Sequence, residues 1–132
     1  MNIFFSGLKW GGKPGLVLDA MAMEECILLT SEEQLAELED VLSIKFSWPQ
    51  TEVAFAIRRI RALAEVVNPQ FILTDCVDDD DNRILEAAVA GAADCIVTGD
   101  GHLLRMNIFR GIQILTASDF LLRMGPGSPH RQ

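Results

Sequence analysis

The sequence predicts an α/β fold: a three-layer α/β/α sandwich built on a mainly parallel sheet. Short β-branched runs such as "CIV" and "IQIL" alternate with stretches of helical spacing. Short strands of that kind, alternating with helices, belong to mainly parallel sheets covered on both faces. The chain has 132 residues, 49% hydrophobic and 23% charged, which suits one globular domain with a real core. We expect that domain to span residues 1–124 and the tail "GPGSPHRQ", residues 125–132, to be loose.

After the turn "GKPG", the segment "LVLDAMAMEE" has helical rather than alternating spacing and predicts a short helix. "CILLTS" reads as a brief strand. Ser31 then stands as an N-cap, with Glu32 and Glu33 in the first turn where carboxylates suit the helix dipole, and this helix is expected to run to about Ile44. "FSWPQ" is a turn. "TEVAFAIRRIRALAEVV" predicts a second long helix, with Val53, Ile57, Ile60 and Leu63 on one face, ended by Asn68 and Pro69. "QFILTDC" reads as a strand, "DDDDNRILEAAVAG" as a helix closing near Gly91, and "DCIVTGD" as another strand. "GHLLRMN" predicts a short helix, "GIQILT" a last strand, and "ASDFLLRM" a last helix capped by Ser118.

Composition narrows the function. A net charge of −8 argues against the broad basic surface of non-specific nucleic-acid binders. It leaves room for an acidic site that holds a divalent metal and so presents positive charge to a phosphate. Cys26, Cys76 and Cys95 are odd in number and form no C-x-x-C pair, which suggests free thiols. No apolar run approaches the ~20 residues of a membrane span, and the first residues, "MNIFFSGLKWGG", lack the regions of a signal peptide. A cytoplasmic protein is the expectation.

In parallel sheets the functional crevice lies at the carboxyl ends of the strands. At about 100° per residue, the helix opening at Ser31 places Leu35, Leu38, Val41, Leu42 and Ile44 on one arc, and Glu37 falls inside it. A carboxylate there needs compensation: either an ion pair with an arginine of "IRRIRA" or a metal. On the helix beginning near Asp81, residues Ile84, Leu85, Ala88 and Val89 form a stripe with Asp81 near its centre, while Glu86 points away. Asp78 to Asp80 suit capping and the helix dipole. Asp100 ends the strand "DCIVTGD", and Thr98 and Asp100 point to the same side of its end. Three acids from distant parts of the chain are thus expected at one sheet edge, where oxygen ligands suit Mg²⁺ or Mn²⁺.

These motifs resemble the PIN-domain family, in particular its branch of toxin components of toxin–antitoxin systems. The likeness runs through "SEEQLAELEDVL" with Glu37, "DDDDNRILEAAVAGAADCIVTGDGHLL" with Asp81 and Asp100, and "GIQILTASDFL". It implies a Mg²⁺- or Mn²⁺-dependent endoribonuclease acting on single-stranded RNA, neutralised by a cognate antitoxin protein and often a homodimer. Asp81 and Asp100 would be metal ligands and Glu37 a further ligand or water-orienting group. Asn2, Ser6 and Thr98 are candidates for holding the ligands or the phosphate, and His102 is taken as a surface residue.

The beginning of the chain departs from the pattern. Family members open with a hydrophobic strand ending in "L-D-T-N", and Asn2 matches the asparagine, so the first strand and the first catalytic aspartate are expected to lie before residue 1. Without them the chain is expected to expose strand edges, to dimerise or exchange strands, and to be weak or inactive as a nuclease. A non-catalytic, degenerate PIN-like binding module is the rival reading. A phosphoacceptor receiver domain fits less well, because no acid pair follows a first strand and no lysine follows a late one.

Overall fold

A computed structural model of the chain describes residues 1–6 and 26–124. The helix expected over "LVLDAMAMEE" and the tail 125–132 lie outside the described residues. Strands β1 (Asn2–Ser6), β2 (Ile27–Ser31), β3 (Ala64–Val67), β4 (Cys95–Thr98), β5 (Ile108–Phe109) and β6 (Ile112–Leu115) form one sheet in the order β3-β2-β1-β4-β6-β5. Every pairing is parallel except the short β5–β6 hairpin. The helices are α1 (Glu32–Asp40), α2 (Gln50–Leu63), α3 (Asp79–Ala90), α4 (Gly101–Met106) and α5 (Ala117–Met124). The α/β class and the mainly parallel sheet are as the sequence predicts.

The centre of the sheet carries no gap. Asn2–Ser6 occupies the central strand, paired with β2 through Ile3↔Leu28 and Phe4↔Leu29 and with β4 through Ile3↔Cys95 and Ser6↔Thr98. "NIFFS" can do this because its apolar residues serve both faces of the sheet. Phe4 joins Leu29, Ile84, Leu85, Ile96 and Leu103 beneath α3 and α4. Ile3 and Phe5 join Leu28, Cys95, Val97 and Phe120 beneath α5, with Phe5 and Phe120 edge to face at 6.3 Å. The open central edges expected from the family pattern are therefore filled by the chain's own first residues.

Two expected elements differ. The second long helix stops at Leu63, and its last four expected residues form β3, an edge strand whose Ala64 and Val67 pair with Leu28 and Ser31. Helical spacing and strand propensity compete in "AEVV", and the β2 edge decides. "QFILTDC" is not a strand. Its backbone is satisfied instead by side chains of α3: the Leu73 N–H donates to Glu86 Oε2 at 2.7 Å and the Cys76 N–H to Asn82 Oδ1 at 2.7 Å. At the last helix the cap is Thr116, whose Oγ1 accepts from the Asp119 N–H at 3.1 Å, in place of the Ser118 expected.

Beyond α1 the helix loosens into a π-helical turn over Val41–Lys45. Leu35, Leu38 and Leu42 share a buried side as expected and pack against Val53 and Ile60 of α2, but Ile44 is 77% exposed. A π turn carries more residues per turn than 3.6, so a 100° projection loses phase past Val41.

Candidate metal centre

Helix α3 opens on the aspartate run. Asp78 caps it, its Oδ1 accepting from the Asp80 N–H at 2.9 Å, which is the capping role expected for this part of the run. Asp81 in the first turn is 2% exposed, turned inward with Ile84 and Leu85 as the helical projection predicts. Asp100 follows the carboxyl end of β4 and caps α4: its Oδ1 accepts from the His102 N–H at 2.9 Å, and its own N–H donates to Thr98 Oγ1 at 3.1 Å. Thr98 thereby shapes the turn that aims Asp100. Ligand atoms of Asp81, Asp100 and His102 all lie within 4.8 Å of one another.

Two carboxylates at such range repel, and here one of them is also dehydrated. Burial raises the Asp81 carboxyl to about 7, with a hydrogen bond to Asp100 and then the charges of Asp100, Asp78 and Asp80 adding to it. The Asp100 carboxyl is lowered, chiefly by accepting that hydrogen bond. A hydrogen bond between carboxyls requires a proton. Asp81 Oδ2 is buried and has no hydrogen-bond partner among the described residues. That orphaned oxygen, beside a second carboxylate and an imidazole at a strand end, forms a donor set that could hold a divalent cation. The residues fit such an ion.

The other expected site residues divide. Glu37 stands on the exposed side of α1, because the arc that included it was bounded by Ile44. Partial desolvation and then the charge of Asp80 raise its carboxyl, so it faces the acidic start of α3, outside the 4.8 Å cluster. It makes no ion pair with "IRRIRA" among the described residues; Arg61 binds Glu32 instead, Nη1 to Oε2 at 2.9 Å. Ser6 is buried at the carboxyl end of β1 beside Thr98, at the site's edge of the sheet. Asn2 is at the opposite end of that strand. Its N–H donates to Asp94 Oδ2 at 2.7 Å and its Nδ2 to the Gly91 carbonyl at 3.1 Å, which ties the start of β1 to the end of α3.

Three residues carry more than the sequence suggested. Glu86, expected to point away, is 4% exposed and accepts from both Leu73 N–H and Arg83 Nη2, the latter at 2.6 Å. Asn82, 1% exposed, grips Cys76 on both backbone groups, its Nδ2 donating to the Cys76 carbonyl at 2.9 Å and to Asp79 Oδ1 at 3.1 Å. Together they hold the strandless segment 71–78 on α3. The projection that turned Glu86 away gave no signal for it: α3 is buried beyond its apolar stripe, over Asp81, Asn82, Ile84, Leu85, Glu86, Ala87 and Ala88, and a polar group buried there must have a partner. His102 reaches the acids because it sits two residues after the capping Asp100. Cys76 stays a thiol: burial, then the charges of Asp81, Asp75, Asp100 and Asp78, all push it up.

Among the described residues no helix is long and apolar enough to cross a membrane. No curated protein and no solved structure matches the chain. The family model described as PIN domain matches residues 2–102, which takes in β1 through the acids of α3 and the turn carrying Asp100 and His102. The chain belongs to the PIN-domain family.

Proposed function

We propose that this PIN domain is a Mg²⁺- or Mn²⁺-dependent endoribonuclease of single-stranded RNA and the toxin of a cytoplasmic toxin–antitoxin pair, restrained by a cognate antitoxin and working as a homodimer. The observation that carries the catalytic part is the buried Asp81, whose Oδ2 lacks a partner while Asp100 faces it at the carboxyl edge of the sheet. Family membership supports a nuclease, and the likeness of "DNRILEAAVAGAADCIVTGD" to the toxin branch supports the biological role.

Asp81 and Asp100 would hold the ion, Asp81 as the buried anchor and Asp100 as the partly exposed side. When bound, a divalent cation supplies the positive charge that a phosphodiester needs during hydrolysis and makes water a better nucleophile. Thr98 fixes the orientation of Asp100 through its backbone N–H. Ser6, at the neighbouring strand end, and Glu37, whose carboxyl feels the charge of Asp80, would meet substrate or an attacking water. Asn2 has a structural task at the far end of β1.

The test is direct. Titration calorimetry with Mn²⁺ should show saturable binding that Asp81→Asn abolishes and Asp100→Asn weakens at least about tenfold, with cleavage of a single-stranded RNA lost in parallel. If both variants keep wild-type metal affinity, the site assignment is wrong. Metal binding without RNA cleavage would favour the rival, a PIN-like domain that acts as a protein-binding module.

A further inference from the structure

We propose that His102 is a ligand of this metal centre and makes it select Mn²⁺ over Mg²⁺. The inference rests on the metal-centre reading above and adds to it the identity of the ion. Three observations carry it. His102 Nδ1 lies 3.7 Å from Asp100 Oδ1, and the nearest ligand atoms of Asp81, Asp100 and His102 are mutually within 4.8 Å. The buried Asp81 Oδ2 has no partner among the described residues, so the cluster contains an acceptor left for a cation. The His102 side chain is 69% exposed, free to turn toward an ion held by the two acids.

Distances and chemistry agree. Ligand atoms bound at about 2.1 Å to one ion sit roughly 3 to 4 Å apart. The His102–Asp100 separation already falls in that range, and rotation of the exposed imidazole closes the rest. Mg²⁺ and Mn²⁺ both take carboxylate, carbonyl and water oxygens, but Mn²⁺, a transition metal, accepts an imidazole nitrogen more readily than Mg²⁺ does. Two carboxylates and one imidazole thus tilt the site away from Mg²⁺. His102 lies in the first turn of α4, where its backbone N–H donates to Asp100 Oδ1 and its imidazole is exposed, so its side chain can be replaced without disturbing the fold.

The experiment compares Mn²⁺ and Mg²⁺ binding by calorimetry for the wild-type chain, His102→Gln and Asp81→Asn, together with pulsed electron paramagnetic resonance of the Mn²⁺-loaded protein. The wild type is expected to prefer Mn²⁺ and to show ¹⁴N modulation from a directly bound imidazole. His102→Gln should lose that modulation and lower the Mn²⁺-to-Mg²⁺ affinity ratio by about tenfold, mostly through weaker Mn²⁺ binding. If His102→Gln leaves ratio and ¹⁴N signal unchanged while Asp81→Asn abolishes binding, the histidine inference is overturned and the metal centre stands. If Asp81→Asn also binds both ions as the wild type does, the centre itself fails.

Discussion

In the absence of divalent metal, the protein should be more stable at pH 5 than at pH 8, and Asp81 should be the cause. Its carboxyl, ordinarily at 3.8, is held at about 7 in the folded chain. The sign follows from proton binding: between those values the folded state keeps a proton that the unfolded state has lost, so stability falls as pH rises through the window and the loss is complete above the folded value. At about 1.4 kcal/mol per pH unit, the part of this interval between pH 5 and about 7 corresponds to about 3 kcal/mol, and relaxation around a carboxylate at the end of a helix brings the expectation to about 2–3 kcal/mol. Asp100 moves the other way, but its contribution changes only below the ordinary carboxylate range and leaves this window alone. The assay is urea unfolding in a chelator at pH 5, 6, 7 and 8. Wild-type midpoints should fall steadily, and Asp81→Asn, which keeps the shape and removes the charge, should flatten the trend and exceed the wild type at pH 8. Adding Mn²⁺ at pH 8 should restore the wild type but not the variant, since a ligand that binds only the folded state stabilises it. A wild type with no trend, or an Asp81→Asn variant with the same trend, would refute the reasoning.

Other expectations concern the scaffold around that carboxylate. Asn82→Ala removes both side-chain bonds to Cys76 and leaves a part-buried backbone N–H without its acceptor; a loss of about 1–2 kcal/mol is expected, with faster amide exchange at Cys76 in particular. Ala92 adopts φ 53° after α3. Ala92→Gly should therefore raise stability by up to about 1 kcal/mol, seen as a higher melting temperature. Gly91, by contrast, is needed for space: a Cβ there would lie 2.8 Å from Leu29 Cδ1 and 2.9 Å from Val67 Cγ1. Gly91→Ala should cost about 1–3 kcal/mol by overpacking, measured as a shifted urea midpoint.

What could be read from the sequence was whatever repeats with a fixed period. Asp81 was legible because the helix around it is regular, so its apolar stripe located its side chain before any contact was known. Asp100 was legible because alternation along a four-residue strand fixes the side to which its successor points. Glu37 was misjudged for the complementary reason: the arc that enclosed it depended on Ile44, and a π turn breaks the period between them. "QFILTDC" has the composition of a strand, but its partners are the side chains of Asn82 and Glu86, which no backbone pattern announces. The central strand was legible locally, since "NIFFS" sets three apolar residues between two polar ones. Reading those residues through the family pattern placed them after the strand instead of in it, and Asn2 was carried toward the site when its bonds lie at the other end of the sheet.

The run of aspartates at the start of α3 also raises the question of why a helix N-terminus, which favours negative charge, does not by itself settle Asp81. Magnitudes answer it. The helix dipole offers a carboxylate in the first turn about 0.3–1 kcal/mol, and up to ~2 kcal/mol when partly buried. Asp78 already takes the capping N–H, and Asp78, Asp80 and Asp100 all act on Asp81 in the opposite sense. Burial, the largest cause, acts together with the hydrogen bond to Asp100 and these charges, and the Asp81 carboxyl moves up rather than down. The cation next along the helix gives no relief, because Arg83 is spent on Glu86, at 2.6 Å, and through it on the segment 71–78. The fold thus places a carboxylate where neither backbone nor neighbouring arginine neutralises it. Among the described residues none does, which leaves a proton or an added cation, and which of the two it holds at neutral pH depends on metal concentration. Competition between them is what ties the pH dependence of stability to the metal affinity of the same two acids, so the two experiments must agree on Asp81 or both readings of it fall.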